Sequence, residues 1–217
     1  GSAEIWTVAM HDKFYLPYYP GGTLPDLTLT DGAVENPDGA RSYVFTISAP
    51  DDNQNNRYRA DDQYTYLPET TKVMAKEHLS AMGLNTGTYT VLQIADAVRA
   101  YVQGIAKYDL NTQRMPIYET DFAMWFLENG DTGYCVHFAT AAAVLLRSAG
   151  VPARYVTGYI ANLRENEQTT VTADNAHAWV EYLHPRNGWT ILEPTPSEGM
   201  PEEQPTIGTE PTQTTAP

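Results

Sequence analysis

Three side chains of this sequence have the types and the order needed to act together on a carbonyl: a thiol, an imidazole and a carboxylate, at Cys135, His177 and Glu193. Cys135 is the only cysteine in 217 residues. It opens the run Cys135-Val136-His137-Phe138-Ala139-Thr140-Ala141-Ala142-Ala143-Val144-Leu145-Leu146-Arg147. That run is rich in alanine and leucine and free of Gly and Pro, so it reads as a buried helix. Gly150 and Pro152 stop it. A thiol in the first turn of a helix feels the positive end of the macrodipole, which favours the thiolate. An imidazole beside it would take its proton and later return it to a leaving amine. A carboxylate would fix the ring tautomer and stabilise the imidazolium.

The elements that must position these groups are legible from periodicity. Ala176 to Leu183 and Trp189 to Glu193 read as two strands of a hairpin around Pro185-Arg186-Asn187-Gly188. Alternation puts His177, Trp179 and Glu181 on one face of the first strand and Trp189, Ile191 and Glu193 on one face of the second. A four-residue loop at 185–188 would set odd-numbered residues opposite even-numbered ones and separate the two sets. A three- or five-residue loop, or a bulge near Gly188, is therefore expected. Arg154 to Ile160 reads as a further strand, and the charged, amide-rich stretch Leu163 to Thr170 as an exposed loop. Ahead of the cysteine, Leu67-Pro68-Glu69-Thr70 starts a helix with Pro68 at its first position, closed by Gly83. Thr90 and Gln93 form a capping box for an amphipathic helix whose apolar face is Ile94, Val98, Tyr101, Val102 and Ile105. A short helix at Asp121 to Glu128 precedes Gly130-Asp131-Thr132-Gly133. The glycines allow a tight approach, and Thr132 is the expected cap of the Cys135 helix.

Other residues that compete for a role are better explained otherwise. Glu181 shares His177's face, but two positions along one strand is a poor approach to the ring. His137 lies two residues beyond Cys135 on the same helix, so a packing role is expected, and His11, His78 and His184 read as surface residues. Arg147 and Arg154 read as bridging structural arginines. Leu67-Pro68-Glu69-Thr70 also has the form of a sortase sorting signal, but a helix follows it instead of an apolar segment. Asp51-Asp52-Asn53-Gln54-Asn55-Asn56 lacks the glycine and the terminal Glu of a calcium loop and reads as a solvated turn. No metal or organic cofactor is called for, and no phosphate loop, dinucleotide fingerprint or zinc spacing is present.

The formal net charge is −14, from 27 acidic and 13 basic residues, which argues against nucleic acid and anionic membrane surfaces as partners. A lone cysteine makes no intramolecular disulfide. Gly1-Ser2 reads as a cloning remnant. Residues 3–66, with strand-like Ile5 to Val8 and Ser42 to Ile47 between turn-rich stretches (Tyr19 to Gly22, Asn36 to Gly39, Asp51 to Asn56), read as a β-rich extension. Residues 67–198 read as the core domain, and 199–217, built of Pro, Thr, Glu and Gln, as a solvated linker or tail. No apolar run reaches membrane-spanning length. Such a tail would suit a stalk between an extracellular domain and a membrane helix, so membrane contact is expected only through segments beyond this sequence.

Four blocks in order, Gly-Tyr-Cys-x-His-Phe-Ala, Leu-Leu-Arg-x-x-Gly-Val-Pro-Ala-Arg-x-Val-x-Gly-Tyr, Ala-His-Ala-Trp-Val-Glu and Gly-Trp-x-x-x-Glu-Pro-Thr, make the chain resemble the transglutaminase-like core, in particular its bacterial, often membrane-tethered members. The resemblance covers roughly 66–196. It implies a papain-like α+β fold, a helix bearing the nucleophile packed on an antiparallel sheet. It implies Cys135 as nucleophile, His177 as base and acid, and residue 193 as the orienting carboxylate. Here the chain departs from the family's usual Asp, because Glu193 is one methylene longer.

The implied chemistry is acyl transfer on protein or peptide amides through a thioester. With an amine acceptor this gives crosslinking, and with water it gives deamidation. A cysteine peptidase or amidase using water shares the same three groups. A non-catalytic binding or scaffold module of the same fold is the alternative from another class. Location outside the cytoplasm, in a membrane-anchored bacterial protein, is the expectation that goes with the family.

Overall fold

The computed structural model describes residues 62–84 and 88–197, together with six short strands within residues 1–61. The chain divides into two compact units, Gly1–Tyr58 and Arg59–Pro217. The division falls earlier than the change of composition at Leu67 because residues just before it belong with the second unit. The Tyr64 ring packs edge-on against Trp189 at 4.9 Å, and the Tyr66 carbonyl accepts a hydrogen bond from Arg147 at 3.4 Å.

The first unit contains β1 (Ser2–Trp6), β2 (Lys13–Phe14), β3 (Pro20–Gly21), β4 (Leu29–Thr30), β5 (Ala33–Glu35) and β6 (Ser42–Ile47). They form two antiparallel three-stranded sheets, in the orders β1-β6-β3 and β2-β5-β4. The first strand begins earlier than the side-chain pattern suggests and includes Ser2, which pairs with Thr46. The expected turn at Tyr19 to Gly22 instead contributes Pro20 and Gly21 to a sheet edge, the place where a residue without an N–H is tolerated. The turns expected at Asn36 to Gly39 and Asp51 to Asn56, and His11, lie outside the described residues.

Among the described residues, the second unit is built on four α-helices: α1 (Glu69–Ala81), α2 (Val91–Ile105), α3 (Phe122–Asn129) and α4 (Cys135–Ser148). Each start and stop has a local cause. Pro68 is the cap of α1 and not its first residue. Its ψ of 145° is extended, while its carbonyl already accepts the Lys72 N–H at 3.0 Å. The Thr90–Gln93 capping box forms in both directions, at 3.2 and 2.9 Å. Asp121 caps α3 through the Met124 N–H and also accepts the buried Thr71 hydroxyl at 2.5 Å, which ties α1 to α3. At the end of α4, Gly150 has φ +79°. Its N–H reaches the Arg147 carbonyl at 3.0 Å, and the Val151 N–H reaches the Leu146 carbonyl at 2.9 Å. This is a Schellman closure, and Gly83 closes α1 in the same way.

Helix α4 is the hub of the unit. It packs on α1, α2 and α3 and lies across the sheet made by β9 (Ala153–Tyr159), β10 (Ala176–His184) and β11 (Gly188–Leu192), ordered β11-β10-β9 and antiparallel throughout. Phe138, Ala142, Leu145 and Leu146 are buried against Val98, Val102, Met124 and Phe126 on the helical side and Ala178, Val180 and Tyr182 on β10. Each buried Leu or Phe contributes about 1.5–3 kcal/mol, and the alanines let the helix approach closely. A second, parallel pair joins β7 (Lys107–Tyr108) to β8 (Thr132–Gly133) beside the start of α4. Among the described residues no helix is long and apolar enough to cross a membrane.

The Gly150 closure makes a simple test of this hub. Gly150→Ala places a Cβ in a left-handed conformation and is expected to lower the unfolding free energy by about 1–2 kcal/mol, read from urea denaturation. An unchanged midpoint would show that the α4 terminus relaxes without cost.

Candidate active site

Cys135 is the first residue of α4. Its N-cap is Tyr134, not Thr132. Thr132 lies in β8, two residues ahead of the cap, where its hydroxyl donates to Thr112 Oγ1 at 2.9 Å. The glycines around it are required by close packing. A Cβ on Gly130 would fall 2.4 Å from the Phe126 ring, and one on Gly133 would fall 2.8 Å from it. The Phe126 ring thus lets the chain pass over it into the cysteine. His137 is buried among Phe122, Phe126 and Tyr134 and accepts the Tyr134 N–H at Nδ1, 3.4 Å. Burial pulls its pKa down, as suits a neutral packing residue whose Nδ1 accepts an N–H.

The hairpin register sets the acid near the ring. His184 pairs with Gly188 and Val180 with Leu192, leaving a three-residue loop at 185–187 with Gly188 at φ +68°. Odd-numbered residues therefore face odd-numbered ones. Glu193 follows the last paired residue and reaches diagonally to His177, with Oε2 2.6 Å from the ring Nε2. Glu193 Oε1 accepts the Thr195 N–H at 2.9 Å. The extra methylene of Glu is accommodated because the carboxylate leaves the end of the strand and is caught by the backbone two residues on. Gln103 on α2 holds that segment in turn, donating to the Glu193 and Thr195 carbonyls at 3.2 and 3.3 Å.

His177 is buried and hydrogen-bonded to both Cys135 and Glu193. With Nε2 facing the carboxylate, Nδ1 is the nitrogen left for the sulfur. Burial pulls the ring's pKa down, but the two hydrogen bonds and the negative charges of Glu193 and the cysteine sulfur outweigh it, so the ring is pushed up to about 9. The imidazole also stacks on Trp179, centroids 6.2 Å apart at 17°. The Trp179 ring lies over Gly158, the direct cross-strand partner of His177, where a Cβ would come within 2.7 Å of it. Glu181 is engaged elsewhere. It accepts Arg154 Nε from the neighbouring strand, and the Arg154 guanidinium sits 4.4 Å over the Trp189 ring. Arg147 Nε bridges to the Ala153 carbonyl at 2.9 Å.

Two histidines expected at the surface are half-buried. His78 joins α1 to α2 through the Tyr101 hydroxyl at 2.8 Å, and His184 accepts the Arg186 and Asn187 N–H groups in the hairpin turn. Sequence reasoning also missed Gln103, the Thr195 amide and two phenols. Tyr108 is shifted up by burial and then by the charges of Cys135 and Glu193, and Tyr155 by burial and then by Cys135 and Tyr134. Thr195 stands in the Glu-Pro-Thr block and was findable there. Gln103, a polar residue on an amphipathic helix, carries no signal of its own.

A helix presenting a thiol beside an antiparallel hairpin that presents imidazole and carboxylate is the transglutaminase-like α+β fold. Residues 80–194, more than half of the sequence, match the Transglutaminase-like superfamily, and the chain belongs to it. Over 145 residues it is 34% identical to the uncharacterized protein YebA of Bacillus subtilis (strain 168), covering 64% of this chain and 19% of that one. Over 72 residues it is 43% identical to a protein-glutamine gamma-glutamyltransferase of Pseudomonas aeruginosa, covering 32% of this chain and 11% of that protein. The chain thus spans about a fifth or less of the length of these relatives. The crystal structure of the periplasmic domain of TgpA from Pseudomonas aeruginosa has the same fold, with a TM-score of 0.59 and 22% identity over 89% of this chain and 68% of that one.

Because the folded pKa of His177 lies above its unfolded value, the site stabilises the fold fully below about pH 6.5 and loses that contribution as the pH rises through about 9. Glu193→Gln should move the ring's titration, followed by NMR of the imidazole, to lower pH and shrink this alkaline loss. A ring that titrates unchanged in the variant would remove the carboxylate from the account. Gly158→Ala should displace Trp179 from beneath His177 and cost about 1–3 kcal/mol, measured by thermal unfolding.

Proposed function

We propose that the chain is an acyl-transfer enzyme acting on protein or peptide amides, most simply a glutamine side chain, with Cys135 as nucleophile, His177 as general base and acid and Glu193 as the orienting carboxylate. The observation that carries this reading is the His177 ring held between the Cys135 sulfur and the Glu193 carboxylate and raised to about 9. At neutral pH such a ring holds a proton, and that positive charge beside the sulfur favours attack as the thiolate. The sulfur attacks the carboxamide carbon, His177 gives its proton to the departing nitrogen, and ammonia leaves from a thioester. An amine acceptor then yields an isopeptide bond, with His177 taking its proton, whereas water yields deamidation. Membership of the superfamily and the 43% identity to a protein-glutamine gamma-glutamyltransferase support glutamine as the acyl donor.

No cofactor enters this scheme. The reading places the domain outside the cytoplasm. The Pro-, Thr- and Glu-rich residues 199–217, the lone cysteine and the periplasmic setting of the TgpA domain of like fold support that location.

Incubation with a glutamine-containing peptide and a labelled primary amine should give amine incorporation that Cys135→Ala abolishes. Hydrolysis without incorporation would move the assignment to an amidase or peptidase. Neither product, together with a Cys135 thiol that iodoacetamide alkylates only at alkaline pH regardless of His177→Ala, would leave a scaffold module. Since the protonated ring serves the leaving amine, kcat/KM for amides should fall about tenfold per pH unit above about pH 9.

A further inference from the structure

The acid of the site stands where the sheet no longer holds it. The β10–β11 ladder ends at the Val180–Leu192 pair, and Glu193 follows it. Its carboxylate must still meet His177 Nε2 at 2.6 Å. A shift of about 1 Å takes that contact past hydrogen-bond length. The Glu193 backbone therefore needs a holder outside the hairpin.

That holder is on α2. Gln103 Nε2 donates to the Glu193 carbonyl at 3.2 Å and to the Thr195 carbonyl at 3.3 Å. Among the described residues no other hydrogen bond reaches either carbonyl. Within the same segment the Thr195 N–H takes Glu193 Oε1 at 2.9 Å. One side-chain amide thus fixes both ends of the small loop in which the carboxylate closes on its own backbone.

Burial alone does not hold this loop. Thr195 is 2% exposed, and its hydroxyl has no hydrogen-bond partner among the described residues. A buried hydroxyl without a partner favours release of the segment to water. Gln103 opposes that bias. On a half-buried flank of α2, next to the buried Val102, an apolar side chain would satisfy packing, whereas two carbonyls require a donor.

We infer that Gln103 is a positioning residue for the reaction, acting through the Glu193–Thr195 backbone to keep the carboxylate on His177. The assignment rests on Cys135, His177 and Glu193 being the working groups. Burial pulls the His177 ring down, and the hydrogen bonds and charges of Cys135 and Glu193 raise it to about 9. Loss of Gln103 withdraws the Glu193 share and leaves that of Cys135. The ring then titrates at lower pH, and the departing nitrogen finds its proton less often. Substrate binding is untouched, so kcat falls and KM does not.

Gln103→Met keeps the length and helix propensity of the side chain but has no N–H. In the full chain, NMR of the imidazole should show His177 titrating at lower pH, toward the midpoint found for Glu193→Gln. The kcat of ammonia release from a glutamine peptide should fall about 10–10²-fold at unchanged KM. The alkaline fall in rate should begin at lower pH than in the wild type. Placed on top of Glu193→Gln, Gln103→Met should change neither titration nor rate further. A tie that serves stability alone would leave the titration where it is and cost the same in both backgrounds. If the methionine variant does not fold, Gln103→Asn, whose amide is one carbon short of the two carbonyls, carries the same expectation. An unmoved His177 titration in the folded variant, or an equal further loss on top of Glu193→Gln, would overturn the assignment. A wild-type chain that releases no ammonia would sink the reading of the function, while the ring titration would still uphold or overturn Gln103 as the residue that holds the acid.

Discussion

The arrangement around Cys135 depends on one buried imidazole held between two groups that carry negative charge. Burying His177 opposes its protonation, and an isolated buried ring would lose its proton well below neutrality. The hydrogen bonds and charges of Cys135 and Glu193 reverse that balance. The reversal is steep because distances are short and solvent is excluded, so the same pair of charges on the surface would be worth little. Everything else in the unit supplies precision to this contact, fixing the sulfur from one side and the carboxylate from the other.

Those two sides come from different physics. The sulfur is placed by helix packing. Helix α4 is locked among α1, α2, α3 and the sheet by small and large apolar residues, and Phe126 allows its lead-in to pass only where glycine stands. The imidazole and carboxylate are placed by hairpin register, which a single-residue slip would destroy by turning every side chain to the other face. Gly188 in its left-handed conformation makes the loop three residues long and sets the parity that unites His177 with Glu193. The α2–β7 segment links the two halves, since it is bonded to the Glu193 loop at Gln103 and to the cysteine lead-in at Lys107 and Asp109.

Much of this was legible in the residues because it is local. The alanine-rich helix with its glycine stop, the Thr90–Gln93 box and the odd-odd parity of the hairpin all follow from periodicity and turn chemistry within a few positions. Contacts that join distant segments carry no such mark. Gln103 meets a backbone ninety residues away, and Tyr108 meets the cysteine lead-in through a parallel pair of only two residues. Caps proved the weakest local inference. Thr132 has the right chemistry for α4, but pairing in β8 holds it two residues ahead of the position that caps the helix. His78 was read as a surface residue but is half-buried by Tyr101 from another helix, and His184, also half-buried, accepts the N–H groups of its own turn.

The Glu at 193 shows how a departure in side-chain length can leave the geometry of a contact intact. A carboxylate on a longer arm has more rotamers to lose and reaches farther, so the shorter residue is the cheaper choice when both groups stand on paired strand positions. Here Glu193 stands just past the strand, where the chain is free to turn. The Thr195 N–H, two residues on, takes one carboxylate oxygen and leaves the other aimed at Nε2. Backbone that would otherwise be free to move is pinned by Gln103. The length of the acid and the hydrogen bonding of the segment after it therefore form a single unit. A shorter acid at this position would have to surrender either the ring or the Thr195 amide unless the segment moved toward His177, and Gln103 resists that movement.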